Sequence, residues 1–181
     1  MTRPSSPFSS DGGIHEIPLT PLGPIAPLGP LAPITGRLWL CGKHKIAPDP
    51  DAVLDAVGAD TVVCLTQPHE LDERYPQYVS WLRARVASGT AVWFPIHDLG
   101  VAEQNAYERL VDDLVDRLRA GSGIVVHCAA GIGRAGTTAV AIAVRLGMPL
   151  DEALAHVRAH RPMAGPEVGA QLDLVRSIAQ R

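Results

Sequence analysis

The chain has 181 residues, 46% of them hydrophobic, which fits one domain with a substantial core plus a tail. Its net charge of −3 gives no case for nucleic acid or an anionic membrane as the main partner. Three widely spaced cysteines, Cys41, Cys64 and Cys128, make neither a disulfide framework nor a zinc site. No metal or cofactor is therefore expected, and the odd cysteine count suits a reducing, cytoplasmic setting. The N-terminus is polar and proline-broken, unlike a signal peptide, and no run approaches the roughly 18 apolar residues of a membrane span.

Residues 1–17 are rich in Ser, Pro and Gly and read as disordered. In residues 18–35 proline recurs every third position, from Pro18 to Pro33, and each is followed by Leu or Ile. That period matches a polyproline II helix, a rod about 55 Å long at about 3.1 Å per residue with one aliphatic edge. The edge is expected to pack on the following domain, because six exposed aliphatics in a row would be a liability. A stiff linker, or a ligand for a partner's aromatic groove, is the alternative.

From Gly36 onward strand-like and helix-like segments alternate. Strands are expected over 37–41, 61–65, 91–94 and 123–126, where β-branched and aromatic residues concentrate. Helices are expected over 49–57, with Pro50 in the first turn, and over 78–87, 102–118, 135–146, 150–159 and 166–179. The clearest is 102–118, whose Leu110, Val111, Leu114, Val115 and Leu118 share one face ahead of Gly121. The order predicts an α/β domain over 36–181 with a mainly parallel sheet, preceded by a tail over 1–35.

The stretch His127-Cys128-Ala129-Ala130-Gly131-Ile132-Gly133-Arg134 carries the chemistry. A buried strand precedes it and a small-residue helix follows, a geometry that presents backbone N–H groups to an anion. A free thiol is only about 3% thiolate at pH 7, but a helix N-terminus and nearby cations bring such a group down to about 3.5–7.5. Gly131 and Gly133 let the backbone of 129–134 close on a phosphate, and Arg134 offers two parallel donors to phosphoryl oxygens. A nucleophile in that cradle points to phosphoryl transfer through a covalent cysteine intermediate, which needs an acid for the leaving oxygen. Asp98, after a strand and beside Gly100, is the first candidate for a mobile acid, with His97 its rival. His127 reads as a buried hydrogen-bonding support for the loop.

His127-Cys128, Gly131 and Arg134 resemble the HCxxGxxR signature of cysteine-dependent protein phosphatases, and Asp98 is similar to their general-acid loop. The layout most resembles the dual-specificity branch, in particular the cyclin-dependent-kinase-associated phosphatases. The likeness runs from Leu38-Trp39-Leu40-Cys41-Gly42 through Cys64-Leu65-Thr66 and Glu70-Leu71 to Arg161 and Gln171-Leu172. It implies a central sheet of about five strands flanked by helices. It also implies that Gln171 orients the hydrolytic water, and that Cys64 is the natural partner of a protective disulfide with Cys128. One departure stands out: relatives carry Ser or Thr directly after the arginine to stabilise the departing thiolate, and this chain has Ala135.

The variable loop positions Ala129, Ala130, Ile132 and Gly133 carry no charge, which favours a phosphoprotein substrate over a polyphosphorylated headgroup. No tyrosine-recognition loop is present, so phosphoserine or phosphothreonine joins phosphotyrosine as a candidate. Lys43, His44 and Lys45 form a basic cluster, read as a loop, that could steer an anion. Two rivals remain: a rhodanese-like sulfurtransferase, and a phospho-binding module with weak turnover because of Ala135. Nothing in the sequence speaks to oligomeric state.

Overall fold

Runs such as Thr61-Val62-Val63-Cys64 and Gly123-Ile124-Val125-Val126 are apolar at successive positions, the pattern of strands covered on both faces. In the computed structural model, which describes residues 13–19 and 34–180, they form the middle of one sheet. Most of the proline repeat (20–33) lies outside the described residues. The strands are β1 (His15–Ile17), β2 (Arg37–Gly42), β3 (Thr61–Cys64), β4 (Ala91–Trp93) and β5 (Gly123–Cys128), in the order β1-β2-β5-β3-β4. β2, β5, β3 and β4 are parallel, and β1 adds an antiparallel edge.

Side-chain alternation divides the core into two layers. Leu38, Leu40, Val63, Ile124, Val126 and Cys128 face the layer built on α4 (Gln104–Arg119), α5 (Gly133–Arg145), α6 (Leu150–His160) and α7 (Gly169–Ala179). Trp39, Cys41, Val62, Cys64 and Val125 face α1 (Lys43–Ile46), α2 (Pro50–Val57) and α3 (Pro76–Ala87). α5 is the central helix, buried from Gly133 to Ala143. Its small residues let α4, α6 and α7 approach closely, as expected from the Ala- and Gly-rich run.

Local chemistry sets the helix ends. Asp49 accepts a bond from the Ala52 N–H at 3.0 Å to cap α2. The Glu103 carboxylate accepts from the Asn105 and Ala106 N–H groups at the start of α4. No helix among the described residues is long and apolar enough to cross a membrane.

Two expectations need correction. Residues 13–17 do not read as disorder: His15, Glu16 and Ile17 pair with Leu40, Trp39 and Leu38. Ile17 is fully buried in the core, a burial its three-residue context could not announce. Lys43-His44-Lys45 is not a loop but most of the short helix α1, with Ile46 turned into the core.

Candidate active site

All four parallel strands end at the same sheet edge, where ligands of open α/β sheets bind. Gly42 of β2 stands opposite Cys128, and Cys64 of β3 opposite His127. The segments leaving β3, β4 and β5 therefore converge on one spot. They bring Glu70, Asp98 and Cys128 to the N-terminus of α5.

Cys128 is buried, and the Gly131 N–H donates to its sulfur at 3.2 Å. Gly131 has φ 73°, and a Cβ there would collide with the Cys41 carbonyl. The loop is thus pressed onto β2, which only glycine permits. At Gly133 the missing Cβ also makes room for the Glu167 carboxylate, which lies where that Cβ would be. Lys43 N–H donates to the Ala129 carbonyl at 3.1 Å, so α1 also braces the loop.

Arg134 is nearly inaccessible and held from several sides. Its Nη1 and Nη2 donate to the two oxygens of Glu70, at 2.6 and 2.9 Å. Nη1 also donates to the Ile96 carbonyl at 2.8 Å. Nη2 reaches the Asp98 carboxylate at 3.1 Å. Burial alone would raise the Glu70 carboxyl, but the Arg134 guanidinium, the Gln67 N–H and Lys43 together outweigh it and hold Glu70 below its ordinary value. An end-on grip by Glu70 leaves the side edge of the guanidinium, Nε and Nη2, for another anion. Asp98 touches that edge, and its side chain is 66% exposed.

The other sequence candidates separate clearly. His97 turns to its own loop, its Nδ1 2.9 Å from the Asp98 carbonyl, and makes no described contact with Arg134. His127 points to the opposite layer, where Nε2 meets the Tyr78 hydroxyl at 2.6 Å. Burial brings its imidazole down to about 4, so it is neutral near pH 7. Gln171 is buried: its Oε1 accepts from the Glu167 N–H and its Nε2 donates to the Gly100 carbonyl on the Asp98 loop. With Arg134, Thr137 and Tyr107 it lines a void of about 10 Å³, room for one water.

Ala135 is fully buried. Thr138 does not replace its missing hydroxyl, because it donates to the Arg134 carbonyl and pairs with Tyr107. Thr137 lines the same void; its Oγ1 is buried without a described partner and makes no described bond to the sulfur. Cys64 is buried, bonded to Thr66 at 3.1 Å, and burial pushes its thiol up to about 12.

Glu70 and Arg161 were not singled out for roles at the site from the sequence. Arg161, at the end of α6, is buried without a described carboxylate partner and bonds carbonyls of the Cys128 loop. A usable signal for Glu70 was its place: a carboxylate just beyond a parallel strand, at the edge where an arginine-bearing loop must find a counter-charge.

Residues 37–175 match the family described as Swiss Army Knife protein, DSP-PTPase phosphatase domain. Human dual specificity protein phosphatase 16 is 39% identical over 71 residues, 36% of this chain and 11% of that protein. Arabidopsis thaliana dual specificity protein phosphatase 1 is 38% identical over 64 residues, 35% of this chain and 32% of that protein. The chain thus spans a third or less of these relatives' lengths. The structure of Tk-PTP in the active form has 26% identity and a TM-score of 0.64, covering 81% of this chain and 92% of that one. Kinase associated phosphatase with its catalytic-site cysteine changed to serine shares the fold at a TM-score of 0.70 and 15% identity, covering 96% and 97%. The sheet order, the cysteine–arginine loop at its carboxyl edge and the match over most of the chain agree: this protein belongs to the DSP-PTPase phosphatase family, on its dual-specificity branch, and resembles kinase associated phosphatase.

Proposed function

We propose that the chain hydrolyses phosphomonoesters on phosphoproteins through a cysteinyl-phosphate intermediate. The observation that carries this reading is Arg134, shared between a fixed carboxylate, Glu70, and an exposed one, Asp98, beside the nucleophile's loop. A phosphate dianion bound by the N–H groups of 129–134 takes the free guanidinium edge and displaces Asp98 from it. Cys128 thiolate attacks phosphorus, the phosphorus–oxygen bond to the leaving group breaks, and protonated Asp98 gives that oxygen its proton. Water then attacks the phosphocysteine, Asp98 takes a proton from it, and the thiolate leaves. Positioning and charge stabilisation carry most of such a transfer. Gln171 orients that water in this reading, supported by the wall it shares with Arg134.

The uncharged side chains at Ala129, Ala130, Ile132 and Gly133 support a phosphoprotein substrate, with phosphotyrosine and phosphoserine or phosphothreonine both admitted. A rhodanese-like transfer has no use for an aspartate on the arginine, so the Asp98–Arg134 contact favours ester hydrolysis. Buried Ala135 favours slow breakdown of the phosphoenzyme, and at its limit a phospho-binding module. Turnover of p-nitrophenyl phosphate tests the proposal. Activity lost in Cys128→Ser and a phosphoprotein trapped by Asp98→Ala are expected; Cys128→Ser with wild-type turnover would overturn it.

A further inference from the structure

Arg161 is 5% exposed, and among the described residues it forms no salt bridge; instead it spends its donors on backbone carbonyls. Nε donates to the Gly131 carbonyl at 2.6 Å and Nη2 to the Ala130 carbonyl at 2.8 Å. Nη1 donates to the Gly13 carbonyl at 2.7 Å, with Leu40 a distant second at 3.4 Å. Gly13 lies outside the region matched to the phosphatase family, which begins at residue 37.

The two loop carbonyls matter because a trans peptide points its C=O and N–H in opposite directions. The Ala130 carbonyl and the Gly131 N–H belong to one peptide unit. Arg161 holds the carbonyl end, and the N–H end donates to the Cys128 sulfur. The Gly131 carbonyl, also on Arg161, shares its peptide with the Ile132 N–H, which is thereby turned the other way, away from Arg161. A buried cation behind the loop therefore sets which way the loop's donors face.

That cation needs Gly13. Without it, Nη1 keeps one carbonyl at 3.4 Å, and an unsatisfied buried donor is costly. The segment 13–19 is anchored well enough to supply it. β1 pairs with β2, Ile17 is fully buried, Glu16 makes a two-pronged pair with Arg37, and the Pro18 carbonyl meets His156 Nε2 at 2.7 Å. His15 packs close enough to Arg161 that burial and that positive charge both lower its imidazole below the ordinary value.

We infer that residues 13–19 are a strap belonging to the catalytic unit: the Gly13 carbonyl completes the hydrogen bonding of Arg161, which positions the Ala130–Gly131 peptide against the Cys128 sulfur. Arg161 and the strap are positioning elements that do not touch substrate. The inference rests on the reading of Cys128–Arg134 as the reacting loop.

The test compares the full chain with chains lacking residues 1–12 or 1–19, each with Arg161 or Arg161→Met. Readouts are kcat and KM for p-nitrophenyl phosphate, and the rate of Cys128 alkylation by iodoacetate at pH 6. Removing 1–12 keeps Gly13 and leaves both readouts at full-chain values. Removing 1–19 lowers kcat about 10- to 100-fold, the scale of a small misplacement in an oriented site, and slows alkylation. In the Arg161→Met background the same deletion changes kcat less than about twofold, because the strap acts through Arg161. A folded chain lacking 1–19 with unchanged kcat and alkylation, or losses that multiply fully with Arg161→Met, overturns the inference. If that deletion does not fold, Glu16→Arg with Ile17→Ala loosens the strap and is judged by the same readouts. A wild type without Cys128-dependent turnover sinks the phosphatase reading instead, and alkylation alone then judges the strap.

Discussion

The loop from Cys128 to Arg134 and the loop carrying Asp98 meet at one guanidinium but are built in opposite ways. The first buries Cys128, Gly131, Gly133 and Arg134 and is braced from β2, α1, Arg161 and Glu70. The second reaches into solvent: Asp98 and Leu99 are exposed, and Leu99 holds a φ of 55°, uncommon for a branched side chain. Among its described anchors are the Ile96 carbonyl and Asp98 carboxylate on Arg134, and the Gly100 carbonyl on Gln171. On the proposed reading, the half that binds phosphate is fixed beforehand, so little reorganisation is needed when phosphate arrives. The half proposed to deliver a proton is exposed at Asp98 and Leu99, as a loop that closes and opens would be.

The largest effect should come from breaking the mobile half chemically while leaving the fixed half whole. Asp98→Asn is expected to lower kcat for a poor leaving group by about 10²- to 10⁴-fold, the range of general acid catalysis. The burst with p-nitrophenyl phosphate should survive, because its leaving group needs less help. An equal loss of burst rate on both substrates would mean that Asp98 positions Arg134 rather than protonating the leaving oxygen. Glu70→Gln attacks the fixed half. It removes one partner of a nearly buried pair, a change that costs about 3–5 kcal/mol where burial is complete. Glu70 is partly accessible, so the lower end is expected, with kcat/KM falling about 100-fold as Arg134 loses its alignment. Wild-type kinetics in Glu70→Gln would show that the Ile96 carbonyl suffices to orient Arg134.

His127 tests whether the fixed half is rigid for reasons independent of catalysis. Its folded value of about 4 lies below the ordinary 6.5, so the folded state disfavours its protonation. The stability this allows is complete above about pH 6.5 and is lost as pH falls from there through about 4. The full loss is about 3 kcal/mol. Urea unfolding at pH 7.5 and 5.0 should show a steeper decline in wild type than in His127→Asn. Parallel declines would place the buried proton elsewhere.

How far the sequence revealed each half follows the same division. The phosphate loop was legible because its parts lie within eight consecutive residues, between a strand and a helix with strong patterns of their own. β2, β3, β4 and β5 were legible from β-branched runs, and α4 from its apolar face. Glu70 was not, because it is 64 residues from Arg134 and the pairing exists only once β3 and β5 are neighbours. β1 was hidden for a related reason: three residues of modest strand preference acquire order only from the edge of β2 and the buried Ile17. Asp98 stood between these cases. Its position after a strand was visible, while its contact with Arg134 was not.

The smallest effect concerns residue 135, where the resemblance to cysteine phosphatases implies a hydroxyl and this chain has alanine. Ala135 is fully buried in the first turn of α5; of the nearby hydroxyls, Thr138 is committed to Tyr107 and the Arg134 carbonyl, and Thr137 makes no described bond to the sulfur. Ala135→Ser adds one oxygen at a helix position where serine costs only about half a kcal/mol in propensity. If a hydroxyl there stabilises the departing thiolate, phosphoenzyme breakdown quickens and steady-state turnover rises several-fold. The burst expected in wild type shrinks in proportion, because the intermediate no longer accumulates. The rate of the burst itself should not change, since attack by Cys128 depends on the loop N–H groups and Arg134 rather than on residue 135. A wild type with no burst, and no faster turnover in Ala135→Ser, would mean that the Gly131 N–H on the sulfur already stabilises the leaving thiolate. The braced loop would then complete both chemical steps without the hydroxyl.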